Sequence, residues 1–300
     1  MHSCWPLRSE PDEPSPRGAG LDLAGPVLAV LCLGLISYGL IVAGTGALSS
    51  GSLLVLLAVL TGALLVWQQT RWSQQMIPQR LLLDRQFVVT NAMTLVLYAS
   101  LTGSLFLLPF VLIYAYDYSA AEAGAAFLPF SAIMAAGSRH AGAMAQRIGS
   151  RAMLVAGSLV TAVGYVVFAL CAERPEFWLG FFPGLAVTAI GMTLCVAPLT
   201  TTILDSAPDN LGGSASGVNT AAARLGGLVA VAALGFAFGG ASLSTLRPDA
   251  IVEAYRQTMW ASAALASFLG PGREYRAILW PRKSRAFART GWWSGGDSNL

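Results

Sequence analysis

The sequence predicts an all-α fold, a polytopic helical membrane protein. Three observations carry this. The 300 residues are 55% hydrophobic and only 11% charged, against about 25% charged in an ordinary soluble domain. Mean hydropathy is +0.62. The apolar residues also gather into runs near the roughly 20 residues that a helix needs to cross a bilayer, and short polar segments between them hold most of the charge.

The runs follow one another along the chain. Residues 1–21 carry Glu10, Asp12, Glu13 and four prolines before any apolar run, so they read as a polar cytoplasmic lead and not as a signal peptide. The first span covers 23–44 and the second 52–67, joined by a Gly/Ser-rich turn at 45–51 into an antiparallel pair (22–68 as a unit). Residues 69–86, with Arg71, Arg80, Arg85, Trp72 and Pro78, read as a cytoplasmic interfacial linker that is helical in part. The third span, 87–116, is long enough to tilt or to kink at Pro109. The fourth, 120–144, follows Ser119 as an N-cap and has Glu122 in its first turn, where a negative charge suits the helix dipole.

The fifth span, 152–172, stops at Glu173-Arg174-Pro175-Glu176. The sixth covers 177–204 and the seventh 213–240. The eighth reads as truncated: 259–269 is apolar, a start at Val252 would include Glu253 and Arg256, and Pro271 ends it. Residues 87–270 thus form a unit of six helices. Residues 271–300 are basic, Trp-rich and without helical period, an aberrant cytoplasmic tail that a shifted reading frame would explain.

Charge sets orientation and excludes several functions. Arg8, Arg17, Arg71, Arg80, Arg85, Arg147 and Arg151 fall on one side if the N-terminus is cytoplasmic, and only Arg174, Arg247 and Arg256 near the other. This is the positive-inside pattern of a multi-pass protein of the cell's inner (plasma) membrane. A net charge of +3 is too small to suggest a nucleic-acid partner. Cys4, Cys32, Cys171 and Cys195 are widely spaced, and His2 and His140 are the two histidines, so no metal site, cofactor or His-based catalytic triad is expected. The spans hold no cluster of acids or nucleophiles, which speaks against an intramembrane enzyme.

Four stretches carry functional chemistry. Gly142-Ala143-Met144-Ala145-Gln146-Arg147-Ile148-Gly149-Ser150-Arg151 is a short basic turn between two spans. Gly142 removes a side chain where helices approach, and Gly149 permits the positive φ of a tight turn. The plain alternative is a generic positive-inside turn. In the seventh span Asn219 and Arg224 interrupt an apolar run; an intramembrane Arg marks a functional site unless it snorkels to the interface. Gly213 and Gly217, and Gly235 and Gly239, have the spacing of close helix contacts. Pro198 frees a carbonyl that Thr200, Thr201 and Thr202 are placed to satisfy, as a hinge or as a tolerated kink. On the third span Asn91, Thr94 and Tyr98 share a face, placed either to line a cavity or to bond between helices.

These motifs resemble the major facilitator superfamily. The basic turn is similar to its signature loop G-x-L-a-D-r-x-G-r-k: Gly142, Ala145, Arg147, Gly149 and Arg151 match, Met144 replaces Leu, and Gln146 stands where the family has an acid. The segment from Ala215 to Ala232 resembles A-S-G-x-N-x-A-x-x-R-x-x-G-L-x-A-V-A of the penultimate helix in the fourteen-helix drug:proton antiporter branch, the EmrB/QacA-type exporters. Ala197-Pro198-Leu199-Thr200 and Ser138-Arg139 also fit that branch.

The resemblance implies two linker helices followed by a C-terminal lobe of six, with the N-terminal lobe missing from these residues. It implies efflux of small amphipathic molecules in exchange for protons, a gate loop at Gly142, Gln146, Arg147, Gly149 and Arg151, and a path lined by Asn91, Tyr98, Thr200, Asn219 and Arg224. The lobe alone is expected to be inactive. The alternative is a membrane-embedded interaction or regulatory protein that associates with a full-length transporter.

Overall fold

The computed structural model describes residues 24–44, 48–71, 79–208, 211–237 and 247–269. Among them it is helical throughout, with no strand. The helices are α1 (Ala24–Gly44), α2 (Leu48–Arg71), α3 (Gln79–Leu83), α4 (Arg85–Phe110), α5 (Ala120–Ala125), α6 (Leu128–Ile148), α7 (Ser150–Cys171), α8 (Phe182–Asp205), α9 (Gly212–Ala237) and α10 (Pro248–Phe268). Six segments are long and apolar enough to cross a membrane: Ser49–Gln68, Arg85–Ala115, Ala120–Ile148, Ser150–Cys171, Phe177–Asp205 and Gly212–Gly235. The predicted lead (1–21) and basic tail (271–300) lie outside the described residues, as do 72–78 of the linker and Gly239.

Local sequence explains where the helices start and bend. Asp84 caps α4 through Phe87 N, which donates to its Oδ1 at 2.9 Å. Pro109 removes one backbone donor from α4, and the next turn, Val111–Ala115, widens into a π-helix. Ser119 and Glu122 form a reciprocal capping box: Glu122 N donates to Ser119 Oγ at 3.3 Å and Ser119 N donates to Glu122 Oε2 at 2.9 Å. The fourth span then breaks at Ala126 and Phe127, with Pro129 in the first turn of α6. The sixth span opens with a second π turn, Phe177–Phe181, just before Pro183.

α10 is a finding against the sequence reading, which begins the last span no earlier than Val252. The helix starts at Pro248 and runs 21 residues. Its charged first turns are accommodated at the bundle end, where Arg256 reaches Glu173 at 3.0 Å and Glu253 at 2.5 Å.

The packing is built on α7 and α8, which run antiparallel. Gly157 faces Cys195, Thr161 faces Gly191, Gly164 faces Thr188 and Phe168 faces Gly184. Each helix steps by four, three and four residues, so a small residue recurs every seven, the period of shallow left-handed helix pairs. The approach is close. A Cβ on Gly157 would sit 2.9 Å from the Gly191 carbonyl oxygen, and one on Gly164 would sit 2.6 Å from Thr188 N. α6 packs chiefly on α8, and α10 on α7 and α4. Phe168, Phe181 and Tyr255 meet at ring separations of 6.1 Å and lock α7, α8 and α10 together at one end.

α4 and α9 form the second close pair. Gly226 lies against the Leu95 carbonyl and Ala99 N, and Gly227 against Thr102. These are not the glycines that the spacing selects. A Cβ on Gly213 or Gly217 would meet nothing within 4 Å, and the same holds for Gly142. The expected close approaches at those three positions are therefore absent among the described residues. α1 pairs with α2 and also leans on α9.

The seam makes a contrast that thermal unfolding in detergent measures. Gly191→Ala forces a methyl into Thr161 backbone and is expected to destabilise by about 1–3 kcal/mol, the usual range for overpacking. Gly217→Ala faces open space and is expected to leave the transition unchanged.

Candidate functional site

α4, α8 and α9 line an open cavity of about 620 Å³. Its wall holds Tyr98 and Thr102 from α4, Thr200 from α8, and Ser216, Asn219, Thr220, Ala223, Arg224, Gly227, Leu228 and Val231 from α9. The α9 residues recur every three or four positions, so one whole stripe of that helix faces the cavity. Polar groups and apolar side chains alternate along it, as in sites that bind a small amphipathic ligand.

Hydrogen bonds fix the wall. Thr94 Oγ1 donates to Asn219 Oδ1 at 2.7 Å and ties α4 to α9 at the cavity edge. Thr220 Oγ1 donates to the Ser216 carbonyl at 3.0 Å, and Thr200 Oγ1 to the Val196 carbonyl at 3.1 Å. These hydroxyls keep lone pairs free toward the cavity. Arg224 is exposed, and among the described residues it forms no ion pair; the cations that do are Arg247 and Arg256.

The basic turn forms one end of the bundle. Gly149 is the single non-helical residue between α6 and α7, with φ +93°. That conformation is open to glycine and strained for residues with a Cβ. Gly149 N donates to the Ala145 carbonyl at 2.9 Å and closes α6. Arg147 lies in the last turn of α6, where a cation suits the carbonyl end of the helix. Gln146 is exposed. Arg151 is half-buried and lines a pocket of about 330 Å³ with Gln86, Ser150, Thr202 and Asp205. Asp205 is the one carboxylate on that wall.

With this geometry in place, comparison with known proteins is direct. A sequence profile of the Major Facilitator Superfamily matches residues 18–231. The chain belongs to that superfamily. Its members are membrane transporters, not enzymes. The chain is 28% identical over 234 residues to the multidrug resistance protein Stp of Mycobacterium tuberculosis, covering 77% of this chain and 43% of the relative. It is 29% identical over 185 residues to the lincomycin resistance protein of Streptomyces lincolnensis, covering 62% and 38%. It is 26% identical over 218 residues to the tetracenomycin C resistance and export protein of Streptomyces glaucescens, covering 71% and 40%. The chain thus spans less than half the length of these relatives.

Of the five residues read from the sequence as path-lining, Tyr98, Thr200, Asn219 and Arg224 come together on the cavity wall. Asn91 does not line it. Its amide is buried, and Nδ2 donates to the Phe87 carbonyl of its own helix at 2.9 Å. Pro198 leaves α8 unbroken. The threonines beside it bond the carbonyls of Val196, Ala197 and Pro198, not that of Leu194, whose helical donor the proline removes. Thr102, Ser216 and Thr220 are lining residues that the motif reading does not single out. Helical spacing from Tyr98, Asn219 and Arg224 marks each of them.

The bond between Thr94 and Asn219 is testable by a double-mutant cycle on unfolding of the purified chain. Thr94→Val and Asn219→Ala are expected to couple by about 0.6 kcal/mol, the average for interhelical hydrogen bonds in a membrane protein, and by no more than about 1.7 kcal/mol. Additive effects would show that the pair does not hold α4 to α9.

Proposed function

We propose that the chain is the C-terminal lobe of a proton-coupled efflux transporter for small amphipathic molecules, preceded by two linker helices (α1 and α2). The observation that carries this reading is the cavity. It is large and amphipathic, and α4, α8 and α9 wall it on one side only, so a second lobe is needed to close it. Lobes related about the membrane normal, with the substrate between them, are the arrangement that permits alternating access. The relatives named for multidrug resistance, lincomycin resistance and tetracenomycin C export support efflux, and their greater length leaves room for such a lobe.

In this reading the chain lies in the inner membrane with its N-terminus in the cytoplasm. The Gly149 turn then faces the cytoplasm and serves as a gate loop, with Arg147 and Arg151 offering charge to the partner lobe and Gln146 offering only a neutral amide. Asp205, beside Arg151, is the local acid in its place. The described carboxylates lie in the connections between helices or within two turns of a helix end, and none is on the cavity wall; in this reading the proton-carrying group is supplied by the other lobe.

Complementation tests this. The full chain is expressed in efflux-deficient cells alone and together with the first half of the Stp relative. The chain alone is expected to leave lincomycin and tetracenomycin C sensitivity unchanged. Co-expression is expected to raise resistance several-fold, an uncoupler that collapses the proton gradient to abolish the gain, and the halves to co-purify. Resistance from the chain alone, or co-purification without any gain, would contradict the proposal.

A further inference from the structure

The cavity wall has a definite chemical sign. It carries one guanidinium, Arg224, five hydroxyl groups (Tyr98, Thr102, Thr200, Ser216 and Thr220) and the Asn219 amide, and no carboxylate. The ion pairs of the described residues lie elsewhere, at Arg247–Asp249 and at Arg256 with Glu173 and Glu253. Arg224 sits about midway along α9, 12 residues from Gly212 and 13 from Ala237. A cation at such a depth is costly unless an anion or water meets it. Here it opens into a space large enough for a ligand, and the Nδ2 of Asn219 on the same stripe is a second donor, whereas the Thr220 hydroxyl spends its hydrogen on the Ser216 carbonyl. Tyr98 on α4 adds an aromatic ring to the lining, and Leu228 and Val231 add apolar surface.

We infer that this wall recognises amphipathic aromatic molecules that carry an anionic oxygen, a carboxylate or phenolate, with that oxygen seated on Arg224 and the ring system along Tyr98, Leu228 and Val231. The inference rests on the reading of the cavity as a transport path. The geometry favours an acidic substrate over a lipophilic cation, because nothing on the wall offers a cation a counter-charge, whereas a planar guanidinium binds a carboxylate through two parallel hydrogen bonds. The same oxyanion has a second source, a carboxylate of the partner lobe reaching across the cavity, and the experiment separates the two.

The full chain is placed in phosphatidylcholine nanodiscs, which carry no anionic headgroup to compete. Binding of fluorescein, an anionic xanthene dye, is compared with that of rhodamine 123, a cationic dye with the same ring system, by fluorescence anisotropy. Fluorescein is expected to bind at least about tenfold more tightly, the lower end of what a hydrogen bond to a charged group contributes. Arg224→Gln is expected to remove that preference and Arg224→Lys to keep most of it. Equal affinities, a preference for rhodamine 123, or a preference that survives Arg224→Gln would overturn the inference. So would loss of fluorescein binding when the first half of the Stp relative is added, because a protein carboxylate would then own the guanidinium.

Cysteines placed at Thr102 and Thr220 in the same nanodiscs distinguish the two levels of failure. If a charged thiol reagent labels them while the dyes show no preference, the path reading stands and the substrate class falls. If neither position reacts and neither dye binds, both fall.

Discussion

The close seam between α7 and α8 is the constraint on which the rest of the bundle depends. Lipid tails are as apolar as leucine, so helices inside a bilayer gain little from hiding apolar surface from one another. What remains is contact between backbones, and small residues permit it. Gly157, Thr161 and Gly164 on α7 meet Cys195, Gly191 and Thr188 on α8. α6 packs chiefly on α8, and α10 on α7. The pairing of α4 with α9 at Gly226 and Gly227 repeats the device on the other side of the lobe. The cavity lies between the α4–α9 pair and α8.

Much of this was legible in the sequence, for identifiable reasons. Spans announce themselves because charge is expensive in hydrocarbon, so every described span falls where an apolar run predicts it. The Ser119–Glu122 cap and the positive φ of Gly149 were readable because each rests on local chemistry. The seam was not. Its glycines, Gly157 with Gly164 and Gly184 with Gly191, stand seven apart and alternate with Thr, Phe and Cys, so the i, i+4 spacing does not pair them with one another, and contact depends on a partner helix that sequence alone does not supply. The reverse error came at Gly213 and Gly217, where the spacing is right and no neighbour is near. The extent of α10 was hidden because hydropathy penalises Asp249, Glu253 and Arg256, whereas in the fold Arg256 is neutralised by two acids at the bundle end.

The site shows the same division. Tyr98, Asn219 and Arg224 stood out because polar side chains in apolar spans need a reason. Asn91 stood out for the same reason and lies elsewhere, buried with its Nδ2 bonded to the Phe87 carbonyl of its own helix and its Oδ1 without a partner among the described residues. Ser216 and Thr220 were overlooked because short hydroxyl side chains are common in membrane helices and bond back to the preceding turn. They acquire meaning only through the stripe they share with Asn219 and Arg224. The Gly149 turn, proposed as a gate loop, keeps the glycine that its positive φ requires, with Gln146 where the family motif has an acid.

The central claim is that the stripe of α9 from Ser216 to Val231 is the water-facing wall of a transport cavity. Single cysteines placed at each position from 215 to 231, in the full chain with its native cysteines replaced by serine, test this directly through reaction with a membrane-impermeant thiol reagent in nanodiscs. The account predicts labelling at 216, 219, 220, 223, 224 and 227, with protection at 215, 222 and 226. Uniform protection, or reactivity that peaks on the face holding 215, 222 and 226, would contradict it.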